Sequence, residues 1–293
     1  MIPKGKILII GGAEDKGDGS SQMENLNSQF EHFEILKELS SVSKTARRLE
    51  IITTASRVTD EIKQVYSRSF KKLGFHNIGY LNIENKIDAN RESVIRRIKS
   101  SHTILFCGGE QFRIAAILGG TKAANAIKEK YINDKNFTIA GTSAGAMVLS
   151  KVMIKDGGVS EALVDTDIKT TSGLGFLEYS IVDTHFIKRG RFGRLAHSVI
   201  INPAQLGIGL GEDTALIIKK GDEAECRGSG MVVIIDGSNI KQTNITDVSS
   251  DDPVFVENLI VHILVKGCRF SLKTRKLHNP AIAKNMLAKL KAG

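Results

Sequence analysis

The chain begins with a short apolar run, Ile7–Ile10, that stops at Gly11-Gly12 and gives way to a polar Gly/Ser/Asn stretch from Gly17 to Ser28. Further apolar runs at Leu49–Thr53, Ile78–Ile83, Thr103–Cys107 and Phe137–Ala140 have the length and β-branched content of buried strands. Between them, apolar residues recur at helical spacing. Phe30, Phe33, Leu36, Lys37 and Leu39 predict one helix, and Ile62, Val65, Tyr66, Phe70 and Leu73 predict another. Strands that alternate with helices need crossover connections, which makes the strands parallel and covers the sheet on both faces. The expected fold is therefore a doubly wound, three-layer α/β architecture with a mostly parallel sheet.

Past about residue 200 the rhythm changes. Leu206–Leu210, Thr214–Ile218, Ala224–Arg227 and Met231–Ile235 are short runs joined by tight Gly/Asp turns, the pattern of an antiparallel addition. No Pro/Gly-rich linker interrupts the chain, so one domain over residues 1–293 is expected, with a basic extension at 266–293. Ile282, Met286 and Leu290 in that extension share one helical face.

Charge changes the picture less than its size suggests. The formal net charge is +9, yet residues 266–293 carry eight Lys/Arg and no Asp/Glu, so the remainder is nearly balanced. The excess belongs to the tail, and nucleic acid is not an expected partner. No run approaches the roughly 18 apolar residues of a membrane span, and the first apolar run is too short for a secretory signal. Cys107, Cys226 and Cys268 lie far apart with no CxxC spacing and read as reduced thiols, so the expected location is the cytoplasm. No HExxH or EF-hand spacing occurs, and neither a metal nor a cofactor is expected.

The candidate chemistry begins at Phe137–Ser150, where an apolar strand runs into Gly141-Thr142-Ser143-Ala144-Gly145 and then into a helical pattern. A nucleophile on such a turn needs small residues two positions away on either side. Its hydroxyl then stands at a helix N-terminus, with the amide of the next residue free to bind an oxyanion. Ser143 is the candidate nucleophile and Ala144 supplies that amide; a phosphate-binding turn is the competing reading. A base is sought among only seven histidines. His185 follows the run Tyr179–Asp183 and precedes Arg189, Arg191 and Arg194, and guanidinium groups beside a base suit a carboxylate-bearing substrate. Glu212 and Asp213, at a turn between apolar runs, are both able to orient the imidazole, and spacing alone does not separate them. Gly108-Gly109 ends another strand and can offer a second oxyanion amide, with Gln111 as a polar contact; Gly11-Gly12-Ala13-Glu14-Asp15 ends the first strand similarly and is not a dinucleotide fingerprint. The order Ser, His, acid departs from that of α/β-hydrolases.

Taken together, the segments ILIIGGAEDK, FCGGEQ, GTSAGA, DTHFIKRGRFGRL, GIGLGEDTAL and VHILVKGCRFSLKTRKL resemble the cyanophycinases, a branch of the serine peptidase family S51 whose smaller members are aspartyl dipeptidases. The last segment is typical of the longer branch. The resemblance implies a flavodoxin-like sheet of the class I glutamine amidotransferase type and a homodimer. It implies Ser143 as nucleophile, His185 as base, Glu212 rather than Asp213 as acid, and an oxyanion hole at Gly109 and Ala144. Gln111, Asp183, Thr184, Arg189, Arg191 and Arg194 match positions that shape the substrate pocket, Thr184 standing where the family has Gln. The implied reaction is release of β-Asp-Arg dipeptides from cyanophycin, a polyaspartate bearing arginine on its β-carboxylates. The alternatives are an isoaspartyl or aspartyl dipeptidase and a non-catalytic flavodoxin-like module that holds polyanions.

Overall fold

The computed structural model describes residues 1–17, 30–40, 48–157, 168–249 and 252–278. Five parallel strands form one side of a nine-stranded sheet, with β3 at its edge: β1 (Lys6–Ile10), β2 (Arg48–Ile52), β3 (Asn77–Leu81), β4 (Thr103–Phe106) and β5 (Thr138–Thr142), in the order β1-β5-β4-β2-β3. Side chains alternate across a strand, and β1 shows the consequence. Ile7 and Ile9 enter one core cluster, whereas Leu8 and Ile10 enter another on the opposite face. Helices α1 (Glu34–Lys37) and α2 (Thr59–Lys72) cover the second face through Ile35, Leu36, Tyr66 and Phe70. The first face is covered by α3 (Lys86–Ala89), α4 (Glu92–Ser100), α5 (Gln111–Leu118), α6 (Lys122–Asn133) and α7 (Ala144–Met147), while α8 (Phe192–Ile201) packs on a second, smaller sheet. The result is the three-layer α/β fold with a large, mostly parallel central sheet.

Three details differ from the sequence expectation. The helix expected over 30–39 is a single α-turn followed by a 3-10 turn at Glu38–Ser40, and the apolar stripe is buried through Ile35, Leu36 and Leu39 across both. A hairpin of β6 (Val152–Gly157) and β7 (Ile168–Ser172), bulged between Ile154 and Asp156, follows α7 directly. Its half-exposed strands carry too weak an alternation to be read.

The antiparallel addition also divides between two sheets. β8 (Ser180–Asp183), β9 (Leu206–Leu210) and β12 (Val232–Asp236) build a second sheet with β15 (Ile260–Leu264). The β10 (Thr214–Lys219) and β11 (Glu223–Gly228) pair extends the main sheet beyond β1, followed by β16 (Arg269–Ser271) and β17 (Lys276–His278). A small ladder joins β13 (Gln242–Thr243) to β14 (Val256–Glu257). The stretch 18–29 and the amphipathic segment with Ile282, Met286 and Leu290 lie outside the described residues. Among the described residues no helix is long and apolar enough to cross a membrane.

Candidate active site

The carboxyl ends of β1, β4 and β5 meet where ligand crevices form in open α/β sheets. Register places Ile10 opposite Thr142, so Gly11-Gly12 lies beside Ser143. Ser143 has φ 52° and ψ −121°, a positive-φ conformation that a side chain rarely adopts and that turns the hydroxyl out of the strand. A Cβ on Gly141 would lie 2.1 Å from the Gly145 carbonyl oxygen, and one on Gly145 would lie 2.1 Å from that of Phe106. Both positions must be glycine for β5, α7 and β4 to approach. The helix that follows is only four residues long.

The first glycine pair organises the rest. Ser143 N donates to Ile10 O (3.0 Å), His185 N to Gly11 O (2.9 Å) and Asp213 N to Gly12 O (3.0 Å). A Cβ on Gly12 would stand 2.5 Å from His185 Nε2, so the imidazole packs directly on a bare backbone. The structure thus brings three predicted side chains into line. Ser143 Oγ lies 3.0 Å from His185 Nε2, and His185 Nδ1 lies 2.7 Å from Glu212 Oε1. Lys188, which sequence reasoning missed, donates to Glu212 Oε2 at 3.2 Å. Burial pushes the Glu212 carboxyl upward, but hydrogen bonds from His185 and Lys188 and the Lys188 charge outweigh it and hold the group below its ordinary value.

Asp213 turns the other way. Its carboxylate accepts from Ser229 Oγ (2.6 Å) and Asp15 N (3.1 Å), which spends it on the turn after β1. Burial raises its pKa despite those bonds. The amides of Gly109 and Ala144 donate to no described residue. Gly109 has φ 139°, and a Cβ there would collide with the Ala55 carbonyl oxygen at 2.2 Å.

The predicted pocket residues separate into two groups. Asp183 is fully buried and binds Arg194 Nε (2.7 Å), Arg194 Nη2 (2.5 Å) and Arg191 Nη1 (3.2 Å). Thr184 is buried too, with its hydroxyl unbonded among the described residues. Asp183 thereby holds the partly buried guanidinium groups of Arg191 and Arg194 at the end of β8, since a buried carboxylate needs such partners. Arg189 is exposed. Gln111 spends its amide donors on the Ile154 and Lys155 carbonyls (3.1 and 3.2 Å), leaving its oxygen as the polar end.

Glu14 is a further residue the sequence reading left without a role. Its carboxylate accepts from Tyr66 Oη and from Thr142 Oγ1, both at 2.7 Å, and pairs with Lys16 at 3.2 Å. It thereby ties the residue before Ser143 to the β1 turn and α2. Burial alone would raise the Glu14 carboxyl, but Lys16, Thr142 and Tyr66 more than offset this and hold it low. A carboxylate with a depressed folded pKa contributes stability that is complete above the unfolded range and is lost as pH falls through the folded pKa. Glu14→Gln is expected to flatten the fall of Tm below about pH 4. A variant that loses Tm with acid as steeply as the parent would show that Glu14 carries no such linkage.

The model of Peptidase family S51 matches residues 19–226. A cyanophycinase of Trichormus variabilis is 33% identical over 273 residues, covering 93% of this chain and 87% of that protein. A cyanophycinase of Geminocystis herdmanii is 31% identical over 277 residues, covering 94% and 96%. The crystal structure of a peptidase from an acI-B1 actinobacterium superposes with a TM-score of 0.64 at 22% identity, over 92% of this chain and 97% of that one. At that identity the superposition speaks for the fold.

Proposed function

Because the chain belongs to peptidase family S51 and is a serine-type peptidase, we propose that it hydrolyses cyanophycin to β-Asp-Arg dipeptides with Ser143, His185 and Glu212 as its triad. The observation that carries the reading is the unbroken hydrogen-bonded line from Ser143 Oγ through both imidazole nitrogens to Glu212. The substrate is supported by the curated relatives, each a cyanophycinase that aligns with more than nine-tenths of the chain.

Ser143 Oγ attacks a backbone carbonyl carbon of the polyaspartate while His185 Nε2 takes the hydroxyl proton. The oxygen that becomes negative is received by the Gly109 and Ala144 amides, whose positions are fixed by the β4 turn and the start of α7. His185 passes its proton to the departing amine and the C–N bond breaks, leaving an acyl-enzyme. Water, deprotonated by the same imidazole, attacks the ester; His185 returns the proton to Ser143 and the dipeptide leaves. Glu212 keeps the Nδ1–H toward itself and compensates the imidazolium charge. Its depressed pKa, set by His185 and Lys188 against burial, keeps it ionised for that task.

Incubating purified protein with cyanophycin and analysing the supernatant for β-Asp-Arg tests this reading. Release of the dipeptide is expected. Turnover of N-terminal Asp-X dipeptides with the polymer left intact would make the enzyme an aspartyl dipeptidase, and no labelling of Ser143 by a serine-directed phosphonate would overturn the catalytic assignment.

A further inference from the structure

The triad uses only part of the crevice. On the α2 side of Ser143, a cavity of about 330 Å³ opens between the β1 turn, α2 and the β4 turn, and Ser143 and Gly108 form part of its wall. That volume is at the small end for ligand sites, the scale of one amino-acid branch rather than a stretch of polymer. Arg189 and Gln111 are not among its lining residues.

Its wall combines a cation, an apolar strip and an acid. Lys16 lines the cavity with its ammonium 3.2 Å from both the carboxylate and the carbonyl oxygen of Glu14 and 5.7 Å from the centre of the Tyr66 ring. Glu14 is 1% exposed and Lys16 18%, so the buried acid holds the cation at the cavity wall. Among the described residues, these two hydrogen-bonding contacts occupy two of the three ammonium donors. Ile62 and Val65 add an apolar strip from α2. Glu61, exposed in the first turn of α2, also lines the cavity and has no ion pair among the described residues.

An arginine joined through its α-amine to a β-carboxyl keeps a free carboxylate at one end and a guanidinium at the other, with an aliphatic stem between. Ammonium, apolar strip and carboxylate match those three parts in kind. We propose that this cavity is the subsite for an arginyl branch of the unit beside the scissile bond, with Lys16 facing the branch carboxylate, Ile62 and Val65 its stem and Glu61 its guanidinium. The assignment rests on the reading of the chain as a hydrolase of arginylated polyaspartate. It makes Glu61 a specificity-determining residue in a cavity that Arg189 does not line.

Glu61 is the residue to change, since removing Lys16 would strand the buried Glu14 charge. Steady-state kinetics on two synthetic polyaspartates of equal length, one bearing arginine and one bearing citrulline, read the guanidinium alone. The wild-type kcat/KM is expected to favour the arginyl polymer by about fivefold, the worth of a partly exposed ion pair. Glu61→Gln is expected to bring that ratio to about one through a rise in KM, with kcat on the arginyl polymer within about twofold, and Glu61→Lys to lower it further. A ratio that stays the same in both variants, with Tm intact, overturns the subsite alone. If the wild-type protein cleaves neither polymer yet is labelled at Ser143 by the phosphonate, the substrate reading fails and the subsite fails with it.

Discussion

Ser143→Ala is expected to lower turnover of arginylated polyaspartate by about 10⁴- to 10⁶-fold while leaving the fold and the affinity for the polymer near wild type. The size of the loss follows from the way a triad acts as a unit: without Oγ there is no acyl-enzyme, and only the oxyanion amides and substrate binding remain to assist water. Confounding effects on the fold are small at this position. The turn at φ 52° is imposed by Gly141, Gly145 and the Ile10 carbonyl, none of which touches the hydroxyl. Alanine has no more bulk than serine and meets the same backbone. The check is dipeptide release under saturating polymer, with intact-mass spectrometry after phosphonate treatment to show a label on the parent and none on the variant. Near-wild-type release by a folded Ser143→Ala protein would remove Ser143 from the mechanism.

Much of this arrangement was legible before any coordinates. Five apolar runs separated by helical patterns specified the parallel core, because buried parallel strands read as continuous apolar stretches. Gly141 and Gly145 identified the turn, since a side chain at either position strikes backbone. What was not legible was partnership. Asp183, Arg191 and Arg194 read in sequence as pocket positions, and nothing there foretells that Asp183, at the end of a strand buried on both faces, binds both guanidinium groups. Gln111 faces the β6 hairpin, an element whose mixed, half-exposed strands gave no clear period. Glu14 sits in a polar string after Gly11-Gly12, and nothing in its neighbours in sequence foretells bonds to residues 52 and 128 positions away.

The same limit applied to Glu212 and Asp213, adjacent acids at one turn, and it supplies the second large effect. Glu212→Gln is expected to cut kcat by about 10⁴-fold, because an amide no longer fixes the imidazole tautomer or balances its charge. Asp213→Asn is expected to keep kcat within about tenfold, since its oxygens serve Ser229 and the Asp15 amide instead. The two variants also part in their pH dependence. Burial raises the folded pKa of Asp213, so its ionisation costs stability that grows as pH rises through the carboxylate range and is absent below it. The Tm of Asp213→Asn relative to the parent should therefore improve between about pH 3 and pH 7. Glu212 is held low by His185 and Lys188, so the opposite sign applies: Glu212→Gln should lose Tm relative to the parent over the same interval. Kinetics of both variants and thermal melts across that interval check the pair. If Asp213→Asn lost activity as severely as Glu212→Gln, the acid would have been placed on the wrong residue; opposite Tm slopes with activity lost in Glu212→Gln alone would fix it where the 2.7 Å contact to His185 places it.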